Sequence, residues 1–320
     1  MPTITTIGTA TIDIFLELTD IFYHQEAAKG RFYCLPVGAK VPIEKQEEHF
    51  GGNAANTAVG FKRLGLKTAI ITSLGTSAKC DAVIRNLQTA GVDTRHVSIS
   101  KGCKKGEVNL SYILDWHKDK TDRVILAYHR PKDFTKIRWP KAEWVYLTSL
   151  GADFTKVTAT IPKSARVAIN PGGYELDRGL PFLLPILKKT EALIVNKQEA
   201  AKLAQIHGGN DITFLLNALL KTGPKTVAIT CGKQGAYAKQ KDAKETFYIP
   251  SLSVNIQEVT GAGDAFASGF MTAYIKGKSL QECLRWGILN STSCIQHIGA
   301  QNGLLTRAHL AKLYKKHYRV

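Results

Sequence analysis

Residues 192–208 read ALIVNKQEAAKLAQIHG. The stretch opens as a short apolar, β-branched run ending at Asn196, which marks a strand buried on both faces. From Lys197 the spacing turns helical, and Gly208 stands where a glycine commonly stops a helix. The unit repeats on either side. WVYLTS (144–149), RVAIN (166–170) and TVAIT (226–230) are further buried strands, and DITFLLNALLKTG (211–223) is a second helix closing on a glycine. Such alternation implies an α/β fold, a mostly parallel sheet with helices packed on its faces.

Outward from this centre the pattern changes. The start, TITTIGTATIDIFLEL, and AIITSLG (69–75) carry strand patterns, with little helical periodicity across residues 14–50. EVNLSYILDWHKDKTDRVILAYH (107–129) holds two alternating runs around the polar turn HKDKTD, as a hairpin does. Parts of 14–50 and 107–129 are expected to pair as a small β lid over the ligand edge of the sheet. The chain is otherwise expected to be one domain, 1–320, with neither repeats nor a linker rich in Pro, Gly or Ser.

Composition narrows the function classes. No apolar run approaches the eighteen or so residues of a membrane span, and the N-terminus lacks the features of a secretory signal, so no membrane partner and a cytoplasmic location are expected. Six scattered cysteines without a CxxC pair suggest neither zinc nor a disulfide scaffold. The net charge of +17, from 43 Lys+Arg against 26 Asp+Glu, suits polyanions or a small anionic ligand such as a nucleotide. The basic residues form only short clusters, such as KGCKK (101–105), so specific nucleic-acid binding is not expected.

The chemistry concentrates in EVTGAGDAFASG (258–269). Phe266 stands where a dinucleotide fingerprint needs its last glycine, and Thr272 stands where a P-loop ending at Gly277-Lys278-Ser279 needs its first, so both patterns are disfavoured. What remains is a strand, the turn Gly261-Ala262-Gly263, and a helix starting near Asp264 with Phe266, Phe270 and Tyr274 on one face. Amides at such a helix start can hold a phosphoryl group, and bare glycines let it come close. Asp264 alone would read as a helix cap, although a cap does not need the three small residues before it. FGGNAANTAVGFKRLG (50–65) again sets glycines before a helix, with Asn53 and Asn56 in its first turns. They suit either ordinary capping or hydrogen bonds to a polyhydroxylated ligand.

Taken together, these motifs resemble those of the ribokinase-like (pfkB) family of sugar and nucleoside kinases, over nearly the whole chain and in the family's order. The resemblance implies a three-layer α/β/α fold with a small β lid. GTATID (8–13) resembles the first strand, which places Asp13 on the acceptor's hydroxyls; GGNAAN (51–56) resembles the N-terminal signature, which places Gly51, Gly52, Asn53 and Asn56 around the acceptor. NKQE (196–199) resembles the segment that organises magnesium and its waters, implicating Asn196 and Glu199. TCGKQGAY (230–237) resembles the turn along the nucleotide, implicating Thr230, Gly232 and Gly235. GAGD (261–264) resembles the C-terminal signature, with Asp264 as catalytic base. Asn290 and HIGAQNG (297–303) resemble the segment closing over adenine and a monovalent-cation site.

The chain departs from the family's DTxGAGD in having Glu258 and Val259 for Asp and Thr, so a potassium ion at Glu258 is an open expectation. By this resemblance Asp264 takes a proton from an acceptor hydroxyl, the 261–263 amides stabilise the transferring γ-phosphoryl of ATP, and Mg2+ organised around Glu199 neutralises the phosphates. A sugar acceptor is the first expectation. A nucleoside stacked on aromatics among Phe15, Phe22, Tyr23, Phe32 and Tyr33 is the second, and a non-catalytic nucleotide- or nucleic-acid-binding protein is a third, disfavoured by the presence of both Asp264 and Glu199. A homodimer through the lid is a further implication of the resemblance.

Overall fold

A computed structural model of the chain describes residues 3–18, 23–27, 30–99, 108–116, 123–128, 134, 137–206 and 211–318. The first half contains β1 (Thr3–Ile7), β2 (Thr11–Leu18), β3 (Tyr23–Ala27), β4 (Gly30–Cys34), β5 (Ile43–Gly51), α1 (Asn53–Arg63), β6 (Lys67–Ile71) and β7 (Ser73–Leu74). It continues with α2 (Ala78–Thr89), β8 (Ser98–Ile99), β9 (Asn109–Trp116), β10 (Val124–Tyr128) and β11 (Trp144–Leu147). The second half alternates: α3 (Phe154–Ala159), β12 (Arg166–Ile169), α4 (Gly173–Leu187), β13 (Thr190–Asn196), α5 (Lys197–Leu203), α6 (Ile212–Lys221), β14 (Thr226–Thr230). It closes with β15 (Ala236–Gln240), β16 (Phe247–Ile249), α7 (Ala262–Ile275), α8 (Leu280–Cys294) and α9 (Arg307–His317).

Eight strands form one sheet in the order β16-β15-β14-β13-β12-β11-β1-β6, parallel except for β15 and β16 at one edge. Both faces are apolar because successive side chains alternate. Val145, Leu147, Leu193, Val195, Val227 and Ile229 pack against α3 to α6. Trp144, Ala168, Ala192, Ile194 and Ala228 face α1, α7 and α8. The alanines leave room on that side for Phe266, Phe270 and Tyr274, whose rings stack at 5.9 and 6.2 Å along α7. This three-layer architecture agrees with the sequence reading.

A second sheet, β10-β9-β2-β5, is joined to the first without a linker. The chain leaves β1 at Ile7, crosses Gly8–Ala10 and enters β2 directly, which puts the smaller sheet at the C-terminal end of β1. There β2 runs parallel to β9 and antiparallel to β5, and β9 pairs antiparallel with β10. The expected turn HKDKTD lies outside the described residues, as does the basic KGCKK.

Two local expectations change. The helix expected over 197–208 ends at Leu203, because Gln205 takes a left-handed φ of 56° and terminates it without a glycine. The helix expected to begin near Asp264 begins at Ala262, with Gly261 as its N-cap at φ 82°.

Helices α7 and α8 are in close backbone contact at Gly269 and Gly287. A β-carbon on Gly269 would lie 2.9 Å from the Trp286 carbonyl carbon and 3.0 Å from Gly287 Cα. Gly269→Ala gains about 1 kcal/mol of helix propensity. It forces backbone against backbone, which cannot yield as a side chain does, at a cost of about 1–3 kcal/mol. The expected outcome in thermal denaturation is a lowered melting temperature; an unchanged or raised one would show that the two helices part freely.

Candidate active site

The C-terminal ends of β1 and β11 to β13 open onto a cleft of about 720 Å³, lined by Thr9, Asn53, residues 149–153 and 170–174, and Glu199. Ligands of open α/β sheets sit at this end, where the loops connecting strands to helices diverge. The turn after β1 builds one wall. The Thr9 carbonyl accepts from the Ala54 and Ala55 amides at 3.1 and 3.2 Å, which satisfies two N–H groups that the start of α1 would otherwise leave unpaired. The fit requires glycine at position 52. Its φ is 93°, and a β-carbon there would come within 2.7 Å of Ala10 Cα and the Thr9 carbonyl oxygen.

This anchoring aims Asn53 and Asn56 at the start of α7. Asn56 Nδ2 donates to Asp264 Oδ2 at 2.9 Å, and Asn53 Nδ2 donates to Asp264 Oδ1 at 3.3 Å. Asp264 therefore does not cap its own helix; no side chain caps α7, and the carboxylate is spent on amides 211 and 208 residues away in sequence. Burial pushes the Asp264 carboxyl up to about 6; the two asparagines oppose that, while the charges of Asp13 and Glu199 add to it.

The turn before Asp264 is shaped for close approach. Gly261 lies against Ala300, whose Cα would be 2.8 Å from a β-carbon at that position. Gly263 is exposed, and a β-carbon on it would point into open space. Of the three expected amide donors, Ala262 N–H is already used, donating to the Val259 carbonyl at 3.2 Å.

Asp13, on β2, is buried, accepts from Thr11 Oγ1 at 2.8 Å, and is raised by burial above the usual carboxylate range. Gly51 lies beside it, since any β-carbon there would collide with the Asp13 carboxylate. Asn196 and Glu199 form a reciprocal cap on α5: Glu199 N–H donates to Asn196 Oδ1 at 2.9 Å and Asn196 N–H to Glu199 Oε2 at 2.8 Å. The half-buried Glu199 carboxyl also lines the cleft and is raised by burial. Strand register pairs Asn196 with Thr230, so the turn Gly232–Gly235 follows on the neighbouring strand; Gly232 and Gly235 take φ of 53° and 105°.

Two expected residues are placed otherwise. Asn290 is completely buried inside the α7–α8 layer, donating to the Ala265 carbonyl and Ser268 Oγ at 2.8 and 3.1 Å and accepting from Leu305 N–H at 2.9 Å. Its amide is committed to holding α7. Glu258 is also buried, and its Oε1 accepts from Thr260 N–H and Oγ1 at 2.6 and 2.5 Å and lies 3.8 Å from Arg123 Nε.

Two further residues were not singled out from sequence. Glu175, fully buried, accepts from the amides of Leu150, Gly151 and Gly172 at 2.7, 2.8 and 3.1 Å, and so ties together the two loops that floor the cleft. Its signal was the Gly172-Gly173 pair with an acid two residues on, a helix start hidden by Pro181 and Pro185 downstream. Gln301, in the turn after α8, donates to Asn56 Oδ1 at 3.1 Å.

Comparison with known proteins agrees with this architecture. The model of the pfkB family carbohydrate kinases matches residues 20–133 and 144–307. An uncharacterised sugar kinase of Archaeoglobus fulgidus is 29% identical over 257 residues, 77% of this chain and 98% of that protein. A nucleoside kinase of Methanocaldococcus jannaschii is 25% identical over 281 residues, 87% of this chain and 89% of that one. The crystal structure of the Methanocaldococcus jannaschii nucleoside kinase, an archaeal member of the ribokinase family, superposes with a TM-score of 0.79 at 22% identity, covering 99% of each chain. Arabidopsis thaliana ribokinase, complexed with ribose and ATP, superposes with a TM-score of 0.78 at 21% identity, covering 98% of this chain and 99% of that one. With the family model matched over most of the chain, and with a three-layer fold whose cleft is lined by Asn53 and Glu199 while Asn53 and Asn56 hold Asp264 beside it, three distant segments converging, the chain belongs to the pfkB family of carbohydrate kinases.

Proposed function

We propose that the chain moves the γ-phosphoryl of ATP to a hydroxyl of a small sugar, with Asp264 as general base and the 261–263 turn as anion hole. The observation that carries this is the Asp264 carboxylate, buried at the head of α7 yet held by two asparagine amides from the head of α1. A base with its carboxyl raised to about 6 is ionised at neutral pH and still basic enough to accept a hydroxyl proton as phosphoryl transfer proceeds. Gly263 offers its first-turn amide to the transferring group, Gly261 completes the turn, and Ala262 contributes only once its bond to Val259 is released.

Asp13 and Asn53 orient acceptor hydroxyls, while the loops fixed by Glu175 set the cleft's shape. The 230–235 turn lies along the nucleotide. The donor set suits magnesium as Mg2+ is usually held, by one or two carboxylates plus phosphates and waters, with Glu199 as the carboxylate. When bound, that ion neutralises phosphate charge. The β10-β9-β2-β5 sheet acts as a lid that keeps water from the phosphoryl group.

A nucleoside acceptor is the second reading. It is favoured by Tyr174, which lines the cleft at 36% exposure with Arg178 5.2 Å above its ring, and which offers a face for stacking on a base. Of the aromatics expected in that role, Phe15 is buried and Phe32 is exposed, whereas Phe22 and the side chains of Tyr23 and Tyr33 lie outside the described residues.

The residues around Glu258 do not fit a potassium ion, because Thr260 and the Arg123 guanidinium already meet its carboxylate. The edge strand β10 exposes Ile125, Leu126 and Tyr128, an apolar strip suited to a second copy of the lid in a homodimer.

ADP formation against a panel of sugars and nucleosides tests the assignment. A sugar should stimulate turnover well above the water background, and stimulation by nucleosides alone would select the second reading. Asp264→Asn should lower kcat by about 10²–10⁴-fold, and because its amide sets one NH2 against the Asn53 or Asn56 NH2, a moderate fall in melting temperature should accompany the loss. Because the base must be deprotonated, wild-type kcat/KM should fall as pH drops through about 6; near-normal turnover in Asp264→Asn would remove it as base. Replacing potassium by tetramethylammonium should change kcat less than about twofold, and Arg123→Met should make turnover potassium-dependent, with a large loss in the wild type counting against the Arg123 pairing. In solution the chain should sediment as a dimer and Leu126→Lys as a monomer; a monomeric wild type would discard the lid interface.

A further inference from the structure

A line of side-chain amides runs from Asp264 into the body of the protein. Asn56 Nδ2 donates to Asp264 Oδ2 at 2.9 Å, Gln301 Nε2 donates to Asn56 Oδ1 at 3.1 Å, and Asn86 Nδ2 donates to Gln301 Oε1 at 2.9 Å. The three amides come from α1, the turn after α8, and α2. Gln301 and Asn56 are buried, and Asn86 is half-buried. The Gln301 backbone is fixed as well: Arg63 Nη1 donates to its carbonyl at 2.7 Å and to the Leu304 carbonyl at 3.0 Å.

The line has a direction. An ionised carboxylate only accepts, so Asn56 must turn its NH2 toward Asp264 and its carbonyl away. A buried carbonyl without a donor bears its full desolvation penalty. Gln301 supplies that donor, and its own carbonyl then takes the NH2 of Asn86. Asparagine's two ends are nearly the same shape, so packing alone does not choose between them. The hydrogen-bond line does.

We propose that Gln301 is a positioning residue for the phosphoryl transfer: it locks the Asn56 amide in the one orientation that donates to Asp264, and Asn86 locks Gln301 in turn. The inference rests on the reading of Asp264 as base, but the orientation itself can be measured apart from catalysis. The groups facing Asp264 show why orientation matters. Asp13 from β2 and Glu199 at the head of α5 both oppose its charge, Tyr146 from β11 and Cys294 at the end of α8 sit within its field, and Asn53 and Asn56 are the side chains that favour the ionised form. A reversed Asn56 would set a carbonyl oxygen against the carboxylate and add to that opposition.

Asn86→Asp tests the line from its far end. A carboxylate there only accepts, so it demands the NH2 of Gln301; Gln301 then presents its carbonyl to Asn56, and Asn56 presents its own to Asp264. Gln301→Glu imposes the same reversal one step closer. Asn86→Leu breaks the outer bond without imposing either sense. The readout is the titration of Asp264 by carbon-13 NMR on protein labelled at aspartate, with the signal assigned by its loss in Asp264→Asn.

The midpoint should rise by on the order of one unit in Asn86→Asp and in Gln301→Glu, and by less in Asn86→Leu. The rise should persist at about 1 M salt, where the bare effect of a distant half-exposed charge is largely screened. Midpoints that stay at the wild-type value, or a rise that vanishes in salt, would overturn the proposal. Because Asn86 is half-buried, its variants keep the test open if Gln301→Glu does not fold. If the NMR midpoint moves while the acid limb of kcat/KM does not, the orientation line stands and the assignment of Asp264 as base falls.

Discussion

The structure turns on one buried carboxylate held between two helix starts. Asp264 sits in the first turn of α7, and Asn53 and Asn56 reach it from the first turn of α1. Each helix start depends on backbone that admits no ordinary side chain: Gly52 crosses Ala10, and Gly261 crosses Ala300. A side chain at either crossing would move one helix relative to the other, and the amide contacts of about 3 Å would be lost before the fold was. The glycines of both motifs therefore act first on where the helices begin and only then on what a ligand meets.

The rest of the architecture serves that convergence. Alanines at positions 168, 192 and 228 keep one face of the sheet shallow, so that α7 can lie close with its column of three stacked rings. Asn290 ties α8 to the first turns of α7 and to Leu305, and Arg63 ties the end of α1 to the 301–304 turn. Glu175 does for the opposite wall what Asp264's neighbours do here, drawing in three backbone amides around a buried carboxylate. Removing one partner from such a cluster leaves a charge or a donor unpaired, so these positions resist change more than their contact areas suggest.

Much of this was legible in sequence, and for a physical reason. The strands of the large sheet are buried on both faces, so their apolar runs stand out, and the glycines at 52 and 261 are needed by the backbone itself. The hidden parts depend on contacts between distant segments. Nothing around Asp264 announces amides 211 and 208 residues away, so capping was a fair local expectation, and Gln301 is separated from Asn56 by 245 residues. Helix α4 was hidden by Pro181, Pro185 and the left-handed Gly179 at its kink. Asn290 matched a motif position, yet its amide is spent inside the core, a choice made by packing.

The placement of acids is the last constraint. A chain with net charge +17 nonetheless brings Asp13, Glu199, Glu258 and Asp264 within electrostatic reach, Asp13 with Glu258 and Asp264 with Asp13 and Glu199, and each is at least partly withdrawn from water. Burial raises Asp13, Glu199 and Asp264 together, so the cleft resists a third or fourth negative charge unless cations or amide donors arrive with it. The basic surface favours the approach of an anionic donor, but the interior of the site does not. In the proposed reaction this tension works in the useful direction. Negative charge gathering on the transferring group beside Gly263 makes the neighbouring Asp264 carboxylate a stronger base at the moment it must take a proton. The amides of Asn53 and Asn56 keep it ionised until then.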